Sequence, residues 1–208
     1  MTLDPAYAAH RLLPAAEQED QQQHTLEVYL DYTCPFSAKL WRTLTSDVIP
    51  HLLANPSSLG TSVIFRHQVQ PWHPASTLLH EASLAVEKLN PSGFVLFSQA
   101  LFDHQREYFD EATVEKTRAE IYRQLADLAA SVNAIDDRQA MLQLLDIQSN
   151  AEPRNAGNAV TADLKYHIRL ARAKAIHMSP TVVFDGAVDD AVSSSWTLDQ
   201  WKAWLQLH

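Results

Sequence analysis

The chain has 208 residues, 46% of them hydrophobic, which is enough to bury a core without covalent staples. It holds a single cysteine, Cys34, which excludes an intramolecular disulfide and a multi-cysteine zinc site. A formal net charge of −9 opposes general attraction to nucleic acid, and no apolar run approaches the roughly 20 residues needed to span a bilayer.

Residues 1–23 lack both the basic start and the unbroken apolar run of a secretory signal. Their glutamine-rich end reads as a disordered or extended lead-in, and the protein is expected in the cytoplasm. His24 to Tyr32 alternates Leu26, Val28 and Leu30 against Glu27, Tyr29 and Asp31, the two-residue period of a first core strand. That strand runs into Thr33-Cys34-Pro35-Phe36-Ser37, after which Phe36, Leu40, Leu44 and Val48 recur at helical spacing. Pro35 falls in the first turn, where no intrahelical donor is lost, and Pro50 with the 55–58 cluster ends the helix or its tail. Thr61 to Val69 makes a second strand, so the three elements form a βαβ unit with parallel strands.

From Pro74 onward the pattern is helical: Ala75 to Leu89, Ser92 to Phe109, Thr113 to Val132, Asp136 to Ile147 and Thr161 to Ile176. Met178-Ser179-Pro180-Thr181 then opens a β-rich run, Asp185-Gly186 supplies a turn, and Ala187 to Val192 returns as its partner. Thr197 and Gln200 form a capping box for a last helix, Thr197 to Leu207. The organisation expected is a sheet domain over 24–73 and 177–208, interrupted by a helical subdomain over 74–176.

Two motifs, Tyr32-Thr33-Cys34-Pro35-Phe36 and Met178-Ser179-Pro180-Thr181, sit at opposite ends of this order of elements. Together they resemble the DsbA-like branch of thioredoxin-fold proteins over roughly residues 24 to 207. The resemblance implies an α/β, thioredoxin-like fold: a central mixed β-sheet flanked by helices, with a large all-helical insertion between the second and third core strands. It also implies a cis bond before Pro180, a Pro180 that lies against Cys34, and a Ser179 backbone that pairs with extended substrate.

The chemistry expected is that of one sulfur. A cysteine at a helix N-terminus faces unpaired backbone donors and the positive end of the peptide dipoles, which favours the thiolate. Cys34 is therefore the candidate nucleophile, with Ser37 one turn on as a hydrogen-bond donor to it and Pro180 aligning substrate. Pro35, Phe36, Ser179 and Thr181 would border the bound substrate. Redox relatives usually carry a resolving second cysteine where Ser37 stands, so this position is read either as natively serine or as a replaced cysteine. With Cys-x-x-Ser, release of a mixed disulfide needs an outside thiol. Glutathione is the expected co-substrate, no permanently bound cofactor is expected, and the partner is a protein or small-molecule thiol or disulfide.

Trp72 and His73 follow the second strand at the sheet end where ligands usually sit, either lining the cysteine's cleft or forming a proline-stiffened corner. Lys165, Arg169 and Arg172 share a helix face that either attracts carboxylates of a substrate or is simply solvated. His67, His73 and His80 fall on a strand, a loop and a helix with no evident completing ligand, so no metal site is expected. Two other functions fit the same scaffold: a glutathione-dependent transferase or isomerase of the kappa-like kind, and a non-catalytic binding module.

Overall fold

The computed structural model describes residues 3–14, 23–55, 60–147, 150 and 152–206. Its five strands are β1 (Arg11–Leu13), β2 (His24–Leu30), β3 (Thr61–His67), β4 (Thr181–Phe184) and β5 (Ala187–Val188). They form one mixed sheet in the order β1-β3-β2-β4-β5. The alternating segment β2 is the central strand: it runs parallel to β3, with Leu26 opposite Val63, and antiparallel to β4, with Val28 opposite Val182.

Helix α1 (Pro35–Thr43) leaves β2 directly and continues through a π turn at Leu44–Val48 into α2 (Ile49–Ala54). Pro50 thus does not end the element. It lies in the first turn of α2, and the wider π turn before it takes up the missing backbone donor. Between β3 and β4 come α3 (Ser76–Leu89), α4 (Phe94–Asp103), α5 (Asp110–Thr113), α6 (Arg118–Ser131), α7 (Arg138–Leu145) and α8 (Thr161–Ala173). This is the helical insertion expected between the second and third core strands. The helix expected over Ser92 to Phe109 is broken into α4 between 3-10 turns at Pro91–Gly93 and Gln105–Tyr108. The next starts at Arg118 because Thr117 and Glu120 close a capping box there. The last helix is α9 (Leu198–Leu205), and Gln200 accepts from the Thr197 backbone at 2.9 Å.

Two expectations need correction. Residues 1–23 are not all a lead-in: Pro5–His10 is a 3-10 helix, and β1 pairs antiparallel with β3. Leu3 and Leu13 are buried there, and three residues are too few for a strand period to show in sequence. Residues 15–22, with most of the glutamine-rich stretch, lie outside the described residues. The return strand stops at Val188, where the Asp189 side chain accepts from the Ala191 backbone at 2.9 Å and turns the chain. Among the described residues no helix is long and apolar enough to cross a membrane.

Both faces of β2 are covered. Leu26, Val28 and Leu30 join Trp41, Phe65, Phe94 and Phe97 in the main core, while Tyr29 packs with Ala171, Ile176 and Val183. Glu27 is also fully buried, and it accepts from Arg66 Nε at 3.0 Å, Lys174 Nζ at 3.1 Å and the Tyr29 hydroxyl at 3.1 Å. Burial pushes this carboxyl up, but the charges and hydrogen bonds of Arg66 and Lys174 outweigh it and hold the group below the usual carboxylate range. Its stabilising contribution is thus present above the unfolded carboxylate value and lost as pH falls through the lower folded one. Arg66→Met should cost about 3–5 kcal/mol in urea denaturation at neutral pH, because it removes one cation from a buried ion pair and leaves Glu27 with Lys174 alone to balance its charge. The deficit should narrow in acid, where Glu27 is neutral in both proteins; an equal deficit at both pH values would contradict this account.

Candidate functional site

The turn from β2 into α1 is built around Asp31. Its fully buried carboxylate accepts at Oδ1 from the Thr33 backbone at 2.8 Å and the Thr33 hydroxyl at 2.7 Å. At Oδ2 it accepts from the Gln70 backbone at 2.8 Å and the Ser76 hydroxyl at 2.9 Å. One side chain therefore ties the end of β2, the segment after β3 and the first turn of α3 together. Cys34 then adopts extended angles, φ −85° and ψ 119°, as the N-cap of α1, donates its backbone N–H to Asp31 O at 3.1 Å, and accepts from Ala38 N at 3.1 Å. Pro35 follows in the first turn, where it forfeits no bond.

Across from this turn the Ser179–Pro180 peptide bond is cis, and the Cys34 thiol donates to Ser179 O at 3.4 Å. The two motifs at opposite ends of the chain thus meet at one sulfur. Thr181 steadies the loop by donating its hydroxyl to Met178 O at 2.8 Å. Cys34 keeps only 6% of its surface, while Phe36 at 64% and Met178 at 66% are exposed members of the two motifs.

The remaining predicted residues divide. Ser37 is fully buried and its Oγ accepts from the Asp31 backbone at 3.2 Å, so this hydroxyl braces the turn while its O–H remains a donor. His73 lines a recess of about 140 Å³ with Thr33, Pro35 and Phe109, immediately beside Cys34 in the chain. Trp72, 57% exposed, faces a separate groove of about 260 Å³ with Arg172, Ile176 and His177. It does not share the recess of His73. Lys165, Arg169 and Arg172 are exposed on α8.

Below Asp31 the polar layer continues inward. His80 Nε2 lies 3.9 Å from Asp31 Oδ1, and His80 Nδ1 lies 2.6 Å from His67 Nδ1. Burial pushes His80 down to about 4, against the opposing pull of Asp31, and pushes His10 down to about 3 with help from Arg66. These rings are neutral imidazoles inside the protein.

The fold recurs in solved structures. A "putative protein-disulfide isomerase" from Pseudomonas syringae is 22% identical, with a TM-score of 0.70 over 96% of this chain and 99% of that one. MdbA, a thiol-disulfide oxidoreductase from Corynebacterium diphtheriae, is 16% identical, with a TM-score of 0.62 over 95% of this chain and 90% of that one. BdbD from Bacillus subtilis is 20% identical, with a TM-score of 0.58 over 91% and 89%. The chain has the DsbA-like thioredoxin fold. No family model matches the sequence, and no curated protein matches it.

Within the DsbA-like fold, two residues that sequence reasoning passed over hold the cysteine turn. Asp31 counted only as the outer member of an alternating strand, although an acidic residue three positions before a Cys-Pro helix start is where a turn brace would sit. Gln105, in the 3-10 turn after α4, donates Nε2 to Tyr32 O at 3.0 Å and to Cys34 O at 3.4 Å. No local signal marks it, because its partners are more than seventy residues away.

Proposed function

We propose that the protein carries out thiol–disulfide exchange through Cys34 alone. The observation that supports this most is the thiol at the N-cap of α1, 3.4 Å from the carbonyl that precedes a cis proline. The Cys34 thiolate attacks one sulfur of a substrate disulfide, a new S–S bond forms, and the other sulfur leaves as a thiolate. Because Ser37 holds no resolving sulfur, a second thiol must attack the mixed disulfide and return Cys34 to its reduced state. Glutathione in a reducing compartment such as the cytoplasm fits that role, and the substrate is a protein or small-molecule disulfide. Helix α1 supplies its dipole to the thiolate, and the backbone at Ser179 offers an edge to an extended chain.

Intact-mass measurement after exposure to oxidised glutathione tests the reading. One glutathionyl adduct is expected on the wild type, cleared by added reduced thiol, and none on Cys34→Ser. The near-complete burial of Cys34 favours a second reading, a binding module that keeps the fold without the chemistry. A folded wild type that takes up neither glutathione nor iodoacetamide would establish that reading in place of the first.

A further inference from the structure

We propose that His10, His67 and His167, with Glu87, form a buried site for one zinc-class divalent metal ion, separate from Cys34. The three histidines come from three elements: the end of the 3-10 helix before β1, the end of β3, and the middle of α8. One nitrogen of each ring lies within 4.8 Å of one from each of the others, and all three residues are buried. Their ring centroids form a nearly regular triangle, with sides of 4.9, 5.0 and 4.8 Å.

Convergence of this kind is costly without a partner. Among the described residues both ring nitrogens of His10 and of His167, and Nε2 of His67, have no hydrogen bond. Each such buried nitrogen forfeits a hydration that some partner must replace. Apart from Glu87, the nearest walls are aromatic, since Tyr7, Phe65 and Phe94 pack their rings against the histidines. Glu87, on α3, brings Oε2 to 3.0 Å from His10 Nε2 without hydrogen-bond alignment, and its Oε1 is also unpartnered. Three neutral imidazoles are a donor set that suits zinc, at nitrogen distances of about 2.0–2.1 Å, and the Glu87 carboxyl beside His10 is the oxygen that could turn to a fourth position. Closing the triangle to the roughly 3.4 Å spacing of a tetrahedral ion requires only small ring movements.

The surroundings add a second layer. His67 Nδ1 is engaged by His80 Nδ1, which leaves Nε2 as its donor, and His80 Nε2 points on toward Asp31. This is how a ligating imidazole is usually held in place by an outer partner. An ion here would also clasp residues 5–13 to β3 and α8.

Chelator-treated, folded full-length protein should bind one equivalent of Co²⁺ with the visible absorption of a four-coordinate site, and Zn²⁺ should displace it. His10→Gln and His167→Gln should each weaken Zn²⁺ binding by at least the ~100-fold that loss of a strong outer partner already costs. His104→Ala, on an exposed turn, should not alter it. Failure of the folded wild type to bind either ion stoichiometrically, or undiminished binding by both glutamine variants, overturns the site. Should those variants not fold, X-ray absorption at the zinc edge of the wild type decides: a shell of imidazoles is expected, and a sulfur in the shell would place the ion at Cys34 instead.

Discussion

Asp31→Ala should lower stability by about 4–6 kcal/mol, enough to consume much of the ~5–15 kcal/mol that keeps a typical domain folded. The carboxylate accepts four hydrogen bonds in a site closed to water, two of them from backbone N–H groups that cannot turn elsewhere. Bonds to a charged acceptor contribute about 1.5–3 kcal/mol each, while the two hydroxyl donors can rotate and recover part of theirs. Asp31→Asn should cost less, since one oxygen remains an acceptor although its amide now confronts donors. Urea denaturation followed by circular dichroism gives both values. A loss under about 1 kcal/mol for the alanine variant would mean that the turn is held by something else. Thiol alkylation of the folded variants should also quicken, because the same carboxylate fixes where Cys34 sits.

Ser37→Cys should convert a chain that waits on an outside thiol to clear its mixed disulfide into one that clears it from within. A sulfur one helical turn from Cys34 attacks from within the same molecule, and release of a glutathionyl or protein adduct should accelerate at least about 100-fold over an outside thiol at millimolar concentration. The variant should lose both free thiols on mild oxidation and catalyse reduction of insulin disulfides faster than the wild type, whose cycle waits on an outside thiol. The change exchanges an oxygen acceptor for a weak sulfur one at the Asp31 backbone, so a stability loss of about 1 kcal/mol accompanies it. If oxidation leaves both thiols free in the folded variant, the two positions cannot meet, and the monothiol reading then owes nothing to the identity of residue 37.

What could be read before the coordinates was what local chemistry writes into short stretches. Leu26, Val28 and Leu30 in alternation marked the central strand, Pro35 marked the helix start, and the Thr197 and Gln200 pair marked the final cap. The pairing of Cys34 with Pro180 came from two motifs that only a known arrangement of elements connects. Three kinds of feature escaped. The strand Arg11–Leu13 is too short to show a period. That Ser37 also accepts from the Asp31 backbone has no trace in its spacing from Cys34. The histidines at 10, 67 and 167 are brought together only by packing of β3 against α8 and the first 3-10 helix, whereas spacing along the chain sets His67 beside His73 and His80. Of that trio only His80 lies against His67, as a neighbour on the way to Asp31.

The amide of Gln105 reaches out of the helical insertion and caps the carbonyls on either side of Thr33, including that of the nucleophile itself. Excising the insertion would therefore not yield a smaller working thioredoxin, because the reactive loop would lose both of these bonds and keep only Ala38 N at the Cys34 carbonyl. It also means that whatever grips or tilts the turn after α4 is felt at the sulfur through two hydrogen bonds, so a partner seated on the insertion holds a lever on the reactivity of a residue it never touches.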